Sequence, residues 1–308
     1  MVLKMKRNQK LEFHSITQQI ELENLYECAK MKEICNVCEQ LCVSTPKEGE
    51  GNVQGFCIVC NENIDFKYDW QYSDLQKINF RERLICPTCG LNNRQRAIAN
   101  LINQNIDEKN SITQFLKRNI KLFGSSQQKT IYFYECVTPF YNAVSKTLLA
   151  GHKVIGSEFL GYDKVSGEII DGIRHEDALD LSFEDKSLDM IVSNDVFEHV
   201  PDIEIALKEA YRTLKQNGKL IFSIPFAHTA KTKKRAQLLD GKLELLEEAI
   251  YHGNPVSSNG SLVFYDFGWD ILEIVTRVGF LNANLVACFD RRYAHLNYLP
   301  LFMFIANK

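Results

Sequence analysis

The sequence lacks three features that would set it apart from ordinary globular proteins. No run of 18 apolar residues occurs in it, so we expect no transmembrane helix. No apolar segment follows the basic start MVLKMKRNQKLEF, so we expect no secretory signal. No charge of one sign dominates, because 36 Lys and Arg oppose 39 Asp and Glu, for a net charge of -3. A surface built throughout to bind polyanions is therefore not expected.

Cysteine, in contrast, is abundant. The chain has 10 cysteines among 308 residues, and several are paired as CxxC. Without a secretory signal, such cysteines favour a reducing cytoplasm and metal ligation over disulfides. With 45% hydrophobic residues, the chain also has enough apolar mass for one large domain and a smaller one, or for two. We therefore expect a cytoplasmic protein with more than one part.

Two of the CxxC pairs predict a zinc site. Cys57-Ile-Val-Cys60 and Cys86-Pro-Thr-Cys89-Gly90 are separated by 25 residues. Each CxxC turn places two thiolates on one side of a tetrahedral zinc ion. The segment between the pairs is too small to form a core alone, so metal binding would supply its folding energy. Four thiolates close the coordination sphere, which makes the predicted zinc structural.

Four further cysteines, Cys28, Cys35, Cys38 and Cys42, raise the alternative of a second metal or an iron–sulfur cluster. They fall at helical spacing in a segment, 15–43, that the apolar pattern predicts to be one long helix. Other apolar residues share the same stripe, so we favour cysteine acting there as a small hydrophobe. The second metal stays as the alternative.

From residue 130 onward, the pattern alternates between strands and helices. Strands are predicted over 130–137, 153–158, 173–178, 188–194, 219–225, 281–289 and 299–306. Helices are predicted over 93–123, 139–150, 201–216, 233–250 and 269–278. Strands that alternate with helices predict an α/β fold with a mostly parallel sheet.

The stretch HEDALDLSFEDKSLDMIVSNDVFEHVPD (175–202) resembles the centre of class I S-adenosylmethionine-dependent methyltransferases of the type 11 kind. The resemblance implies a Rossmann-like seven-stranded sheet and an enzyme whose cofactor is S-adenosylmethionine. The two CxxC pairs and the helix after them resemble the zinc-ribbon-like leader of some bacterial relatives. The predicted parts are a helical segment (1–50), the zinc-ribbon-like module (51–95), connecting helices (96–128) and the methyltransferase domain (129–308), with an acceptor-side insertion (227–265).

The resemblance assigns the cofactor contacts to acids at the ends of successive strands. Glu158 would hold the ribose hydroxyls, since one carboxylate accepts two hydrogen bonds. Asp177, with the amide of Ala178, would bind the adenine edge. Glu135 would lie near the methionine part, and Asp195 would mark the end of strand four, where the backbone closes the pocket.

One segment departs from the family pattern. Relatives have a glycine-rich ExGxGxG turn after strand one, and this chain has ECVTPFY (135–141) there. Either the turn follows a different backbone path, with Thr138 and Pro139 opening the helix, or affinity for the cofactor is lost. In the second case the chain would be a non-catalytic, zinc-containing interaction protein.

Two histidines are candidate catalytic residues. A hydroxyl acceptor benefits from a general base with a pKa near neutrality, which favours histidine. His199 faces the cofactor crevice by resemblance, and His252 lies in the insertion. We favour an O or N atom of a small molecule or glycan as the acceptor. RNA is the alternative, with Arg94 and Arg96 beside the zinc module as its docking surface, but the six Lys/Arg against five Asp/Glu in 51–100 are a weak electrostatic footprint.

Overall fold

The computed structural model describes residues 11–74, 76–106 and 128–308. The chain divides into two compact units. The first comprises Met1–Gln128, Lys146–Leu148 and Ala287–Leu301, and the second comprises Lys129–Ser145, Leu149–Val286 and Phe302–Lys308. No helix in the described ranges is long and apolar enough to cross a membrane.

Helices and short strands share the described residues. The helices are α1 (Gln19–Glu27), α2 (Ala29–Ser44), α3 (Phe80–Arg83), α4 (Asn93–Ile106), α5 (Pro139–Lys146), α6 (Ile203–Thr213) and α7 (Ile271–Val278). The strands are β1 (Phe13–Ile16), β2 (Glu50–Cys57), β3 (Glu62–Asp69), β4 (Thr130–Phe133), β5 (Lys153–Gly156), β6 (Ile169–Ile170), β7 (Ile173–Arg174), β8 (Leu188–Asn194), β9 (Leu214–Ser223), β10 (Lys233–Lys234), β11 (Ala236–Leu239), β12 (Lys242–Leu245), β13 (Tyr251–Asn254), β14 (Ser257–Leu262), β15 (Tyr265–Asp266), β16 (Leu281–Cys288) and β17 (Leu301–Asn307).

After the strand β1, the first unit has two helices where the sequence predicts one over 15–43. The helical pattern breaks at Cys28, whose backbone is extended, with φ -66° and ψ 145°. The Cys28 side chain caps α2, because its Sγ accepts a hydrogen bond from the amide of Met31 at 3.4 Å. The predicted helix over 93–123 is present as α4 to Ile106, and its remainder lies outside the described residues.

The main sheet of the described chain has seven strands, in the order β1-β16-β17-β9-β8-β4-β5. The strands β5, β4, β8 and β9 are parallel to one another, and β17 runs antiparallel to β9. The strand β8 is apolar and almost wholly buried, as parallel strands covered on both faces are. The predicted Rossmann-like seven-stranded sheet is thereby confirmed.

The third predicted strand, 173–178, is mostly absent. Only β7 forms, and it pairs with β6 in a two-stranded hairpin. Among the described residues, one parallel bridge, Glu158 to His175, pairs this segment with the chain just beyond β5. The Glu176 carboxylate accepts from Arg174 and Ser182, and the backbones of Asp177 and Asp180 bridge in a turn, so the chain turns here and does not continue as a strand.

The predicted helix over 233–250 is wrong. This part of the insertion forms the hairpin β11–β12, in which Leu239 pairs with Lys242. Asp240 and Gly241 form its two-residue turn, and both have positive φ, at 50° and 74°. Asp-Gly at this position is the strongest short-range hairpin signal, and it overrides the helical spacing of the flanking leucines.

Candidate functional site

The predicted cofactor acids all lie just beyond strand ends. Glu135 follows β4, Glu158 follows β5 and Asp195 follows β8, and these strands are parallel neighbours in the sheet. Asp177 follows β7, one residue beyond Glu176, whose amide donates to the Glu158 carbonyl at 3.2 Å. Carboxyl ends of parallel strands open on one edge of a sheet, where α/β folds bind ligands.

Glu158 anchors the turn that lacks glycine. Its side chain is buried, and its Oε1 accepts hydrogen bonds from the amides of Cys136 at 2.8 Å and Val137 at 3.0 Å. Burial raises the pKa of Glu158, and the two amide donors partly offset that rise. The carboxylate therefore holds the backbone after β4 in place of the close packing that glycines provide in relatives.

The turn reaches α5 by the path that the sequence predicts. Thr138 caps the helix, since its Oγ1 accepts from the amide of Tyr141 at 3.2 Å, and Pro139 is the first helical residue. The glycine that permits close approach lies on the neighbouring strand instead. A Cβ on Gly156 would come within 2.6 Å of the Tyr141 ring and 2.7 Å of the Cys136 Cβ.

Replacing Gly156 with alanine is expected to destabilise the protein by about 1–3 kcal/mol, because the Tyr141 ring and the turn must move apart. Thermal or denaturant unfolding measures the change. Gly253→Ala is the matched control, since a Cβ there would meet no atom within 4 Å. Equal stability of the two variants would show that the packing over Gly156 does not hold the turn.

The segment around Asp177 is a tight turn held by polar contacts. The Asp177 amide donates to Ser166 Oγ at 2.8 Å, and its Oδ1 accepts from the amide of Leu179 at 2.9 Å. Ala178, the other residue assigned to adenine, is buried. The turn thus has a fixed shape, although the sequence predicts a strand at this position.

Two exposed aromatic residues, Phe159 and Tyr162, are not among the residues predicted from the sequence. The rings of Phe159 and Tyr162 lie 4.9 Å apart, edge to face, and Tyr162 is 65% exposed. The negative charge of Asp177 adds to burial in raising the pKa of Tyr162, so the two side chains are near each other. An aromatic residue directly after the strand-end acid Glu158 was the available signal.

Asp195 has a strained backbone, with φ at 53°. Its Oδ1 accepts from Ser223 Oγ at 2.6 Å, and its amide donates to the Ser223 carbonyl at 3.1 Å. A non-glycine residue in the left-handed region persists only where its surroundings fix it, and such residues concentrate at functional sites. The end of β9 therefore holds the end of β8 in its place.

The two predicted catalytic histidines lie beside the same carboxylate, that of Glu198. Phe197–His199 forms a single 3-10 turn after β8, and the hairpin β13–β14 brings His252 to it. The carboxylate Oε1 of Glu198 lies 3.7 Å from His199 Nε2 and 3.7 Å from His252 Nδ1. The imidazole rings are 5.0 Å apart and perpendicular. The sequence gives no reason to assign Glu198 a role, because His252 lies far away along the chain.

A main-chain contact defines which nitrogen of His199 is available. Its Nδ1 lies 2.8 Å from the carbonyl oxygen of Leu262 in β14, and a carbonyl accepts only from an N–H. The lone pair of the neutral ring is therefore on Nε2, the nitrogen that faces Glu198. We name Glu198, His199 and His252 the acceptor-side cluster, after the role that the sequence predicts for the two histidines.

The four cysteines of the predicted zinc site come together in the first unit. Their sulfur atoms all lie within 4.8 Å of one another. Cys57 Sγ is 3.9 Å from Cys89 Sγ, and Cys60 Sγ is 3.7 Å from Cys86 Sγ. Four sulfurs at about 2.3 Å from a tetrahedral ion are about 3.8 Å apart, so the set fits zinc.

Both cysteine pairs form the same kind of turn. The amide of Asn61 donates to the Cys57 carbonyl at 2.8 Å, and the amide of Gly90 donates to the Cys86 carbonyl at 2.9 Å. Asn61 and Gly90 have positive φ, at 58° and 74°. The first turn closes the hairpin β2–β3, so the metal site and the hairpin depend on each other.

The remaining cysteines of α2 are not arranged as a metal site. In the described ranges, Cys28, Cys35, Cys38 and Cys42 form no group of metal-ligating atoms. Cys38 is fully buried, and burial raises the pKa of its thiol. Cys42 Sγ lies 2.8 Å from the hydroxyl of Tyr298. Packing and hydrogen bonding within the first unit therefore account for these residues.

The arginines of the RNA alternative are not available on a surface. Arg94 is buried against Glu82, with its Nε 3.0 Å from Oε1. Arg96 is 1% exposed, stacks on Phe66 at 3.9 Å and donates to the Tyr293 carbonyl at 2.8 Å. Both guanidinium groups hold the first unit together, so neither is free to serve the docking surface that the RNA alternative gives them.

Comparison with known proteins gives one family match and several similar chains. Residues 156–222 match the family described as "Methyltransferase domain". An arsenite methyltransferase from Aquipseudomonas alcaligenes is 35% identical over 133 residues, which are 42% of this chain and 32% of that protein. This chain thus spans about a third of the length of that relative.

Solved structures of similar chains include an S-adenosylmethionine-dependent methyltransferase from Mesorhizobium loti. It is 14% identical, with a TM-score of 0.37, over 63% of this chain and 97% of that one. A 1,6-didemethyltoxoflavin-N1-methyltransferase from Burkholderia thailandensis is 13% identical, with a TM-score of 0.35, over 70% of this chain and 78% of that one.

Proposed function

We propose that this chain, which carries a class I methyltransferase domain, transfers a methyl group from S-adenosylmethionine to an O or N atom of a small molecule or glycan in the cytoplasm. The observation that carries the proposal is the pairing of two sites at one edge of the sheet. Acids lie beyond β4, β5 and β8, and the 3-10 turn that carries Glu198 and His199 of the acceptor-side cluster begins two residues after Asp195. Neighbouring sites for a donor and an acceptor are what group transfer requires.

Four acids and one amide are assigned to S-adenosylmethionine. Glu158 would offer its second oxygen to the ribose while the first holds the turn. Asp177 and the Ala178 amide would take the adenine edge, with Phe159 and Tyr162 as apolar surface for the base. Glu135 would lie beside the methionine part. Asp195 would shape the backbone at the end of β8.

Bound S-adenosylmethionine would supply a methyl group on a sulfonium, which needs no activation by the protein. The chain's own residues would align the acceptor with that group and exclude water. His199 would receive the acceptor's proton at Nε2, since its Nδ1 proton is held by Leu262. The second histidine and Glu198 would stabilise the resulting imidazolium.

Replacing Asp177 with alanine is expected to abolish binding of S-adenosylmethionine. The substitution removes the assigned adenine contact and also the hydrogen bond that closes the turn at Leu179. Calorimetric titration should show at least a hundredfold loss of affinity. The exposed acid Glu184 in the same unit gives the control, and Glu184→Ala should bind as the unchanged protein does. Normal binding by the Asp177 variant would contradict the assignment.

We propose that the four-cysteine cluster holds a structural zinc ion. The sulfur–sulfur distances and the paired turns support it. A set of four thiolates leaves no open position for a substrate, so this ion would stabilise the first unit and would take no part in methyl transfer. The protein should contain one tightly bound zinc at this cluster.

Arsenite, the acceptor named for the relative from Aquipseudomonas alcaligenes, is not proposed for this chain. Arsenic(III) is soft and binds thiolates. Cys136 is the one cysteine in the sequence of the second unit. Burial raises its pKa to about 11, so it is a thiol at neutral pH. The acceptor-side cluster offers nitrogen and oxygen instead, which suits a hydroxyl or amine acceptor.

A further inference from the structure

We infer that Glu198, His199 and His252 bind a divalent transition-metal cation, separate from the zinc of the four cysteines. The role given to this ion in catalysis rests on the proposed function, but the binding itself does not. One buried carboxylate and two imidazoles contribute three donor atoms that lie within 4.8 Å of one another.

The distances fit a common ion. His199 Nε2 and His252 Nδ1 are each 3.7 Å from Glu198 Oε1. Two ligands at about 2.0–2.2 Å from one ion are about 3.3–3.7 Å apart for tetrahedral to trigonal angles. Small side-chain rotations therefore bring all three donors to bonding distance.

The Glu198 carboxylate is buried without hydrogen bonds. Its side chain is fully buried, and neither carboxylate oxygen has a hydrogen-bond partner among the described residues. Its ion-pair partners among the described residues are two histidines, with no Lys or Arg. Burying an unpaired carboxylate costs several kcal/mol, and coordination of a cation is one of the few arrangements that offset this.

The surroundings orient the ligands as they do at metal sites. Metal-binding histidines donate their other N–H to a carbonyl or carboxylate, and His199 Nδ1 has the Leu262 carbonyl at 2.8 Å. The amide of Phe264 donates to the Glu198 carbonyl at 2.7 Å, which ties the 3-10 turn to the end of the same hairpin. The hairpin β13–β14 thus supplies one ligand and fixes another.

Three protein ligands leave positions open for a substrate. His252 is 40% exposed and Glu198 is fully covered, so the ion would face solvent from one side only. Nitrogen and carboxylate donors suit Zn²⁺, Co²⁺, Fe²⁺ or Mn²⁺. A bound cation would coordinate the oxygen of the acceptor hydroxyl and lower the pKa of that hydroxyl. The hydroxyl proton would leave to solvent. His199 Nε2 would then coordinate the ion and would no longer receive the proton.

Cobalt(II) titration of the zinc-loaded protein tests the inference. We expect one Co²⁺ per chain by calorimetry, with weak visible bands and without the intense near-ultraviolet absorption of cobalt–thiolate bonds. Glu198→Gln, which keeps the shape of the side chain, and His252→Ala, at an exposed position, should each weaken binding at least tenfold. His228→Ala should leave it unchanged, because His228 lies among Phe226 and Phe302, away from the cluster.

Absence of Co²⁺ binding beyond the four-cysteine site would overturn the inference, as would binding that neither Glu198→Gln nor His252→Ala weakens. Titration of the same zinc-loaded protein with S-adenosylmethionine, before and after the addition of Co²⁺, separates this failure from a failure of the proposed function. Cofactor binding without Co²⁺ binding would support the proposed function and contradict the cation site. Co²⁺ binding without cofactor binding would support the cation site and contradict the proposed function.

Discussion

Replacing Cys86 with serine is expected to release the zinc ion and to unfold the hairpin β2–β3 with its neighbours. The four sulfurs lie within 4.8 Å of one another, and the turn of the hairpin carries the first pair of ligands. Apparent binding free energies of structural zinc are about 10–16 kcal/mol, which is comparable to the stability of a whole domain. Elemental analysis should show that the zinc content falls from one ion per chain to nearly none. Thermal unfolding should show that the transition of highest temperature is lost.

A cysteine outside the cluster gives the control for this prediction. Cys28 caps α2 through its sulfur, and serine is a good residue at that position, so Cys28→Ser should keep both zinc and stability. Less than about 0.5 zinc per chain in the unchanged protein after mild purification would contradict the site. Full zinc content in the Cys86 variant would exclude Cys86 as a ligand.

Replacing Glu158 with glutamine is expected to weaken S-adenosylmethionine binding about tenfold to a hundredfold. The glutamine oxygen can accept from one or both turn amides, but the negative charge that strengthens these bonds is lost. Hydrogen bonds to a charged group contribute about 1.5–3 kcal/mol each, and the ribose contact is weakened by the same change. Calorimetric titration gives the affinity, and circular dichroism shows whether the fold is kept.

Glu158→Ala sharpens the same prediction, because it leaves both turn amides without the carboxylate and should abolish binding. Glu168, an exposed acid on the loop after Glu158, provides the control, and Glu168→Gln should bind the cofactor normally. If Glu158→Gln bound S-adenosylmethionine as tightly as the unchanged protein, the carboxylate would have no part in the site.

The sequence was sufficient where chemistry depends on local spacing. Two CxxC pairs predict four converging sulfurs because each turn fixes its own two ligands, and the strands flanking β8 follow from apolar runs. The path of the glycine-free turn was also predictable, since Thr138 and Pro139 are good residues for a helix start. The role of Gly156 was not, because it depends on which ring lies over it.

Contacts between distant segments account for the rest. His199 and His252 are both predicted, but their meeting on Glu198 requires the hairpin β13–β14, which no periodicity indicates. The helix predicted over 233–250 is wrong because the Asp-Gly turn at 240–241 overrides the helical spacing of the flanking leucines. The sequence predicts that Arg94 and Arg96 of α4 lie on the surface. In the structure they are buried against Glu82 and Phe66, so their role is structural.

The most direct test of the proposed function is calorimetric titration of the zinc-loaded protein with S-adenosylmethionine. The arrangement of acids beyond β4, β5 and β8 predicts one cofactor bound per chain, with S-adenosylhomocysteine competing for the same site. Saturable heat at micromolar to submillimolar ligand would agree with a methyltransferase. No heat at millimolar ligand would contradict it and would leave a zinc-containing protein with a methyltransferase fold and no donor.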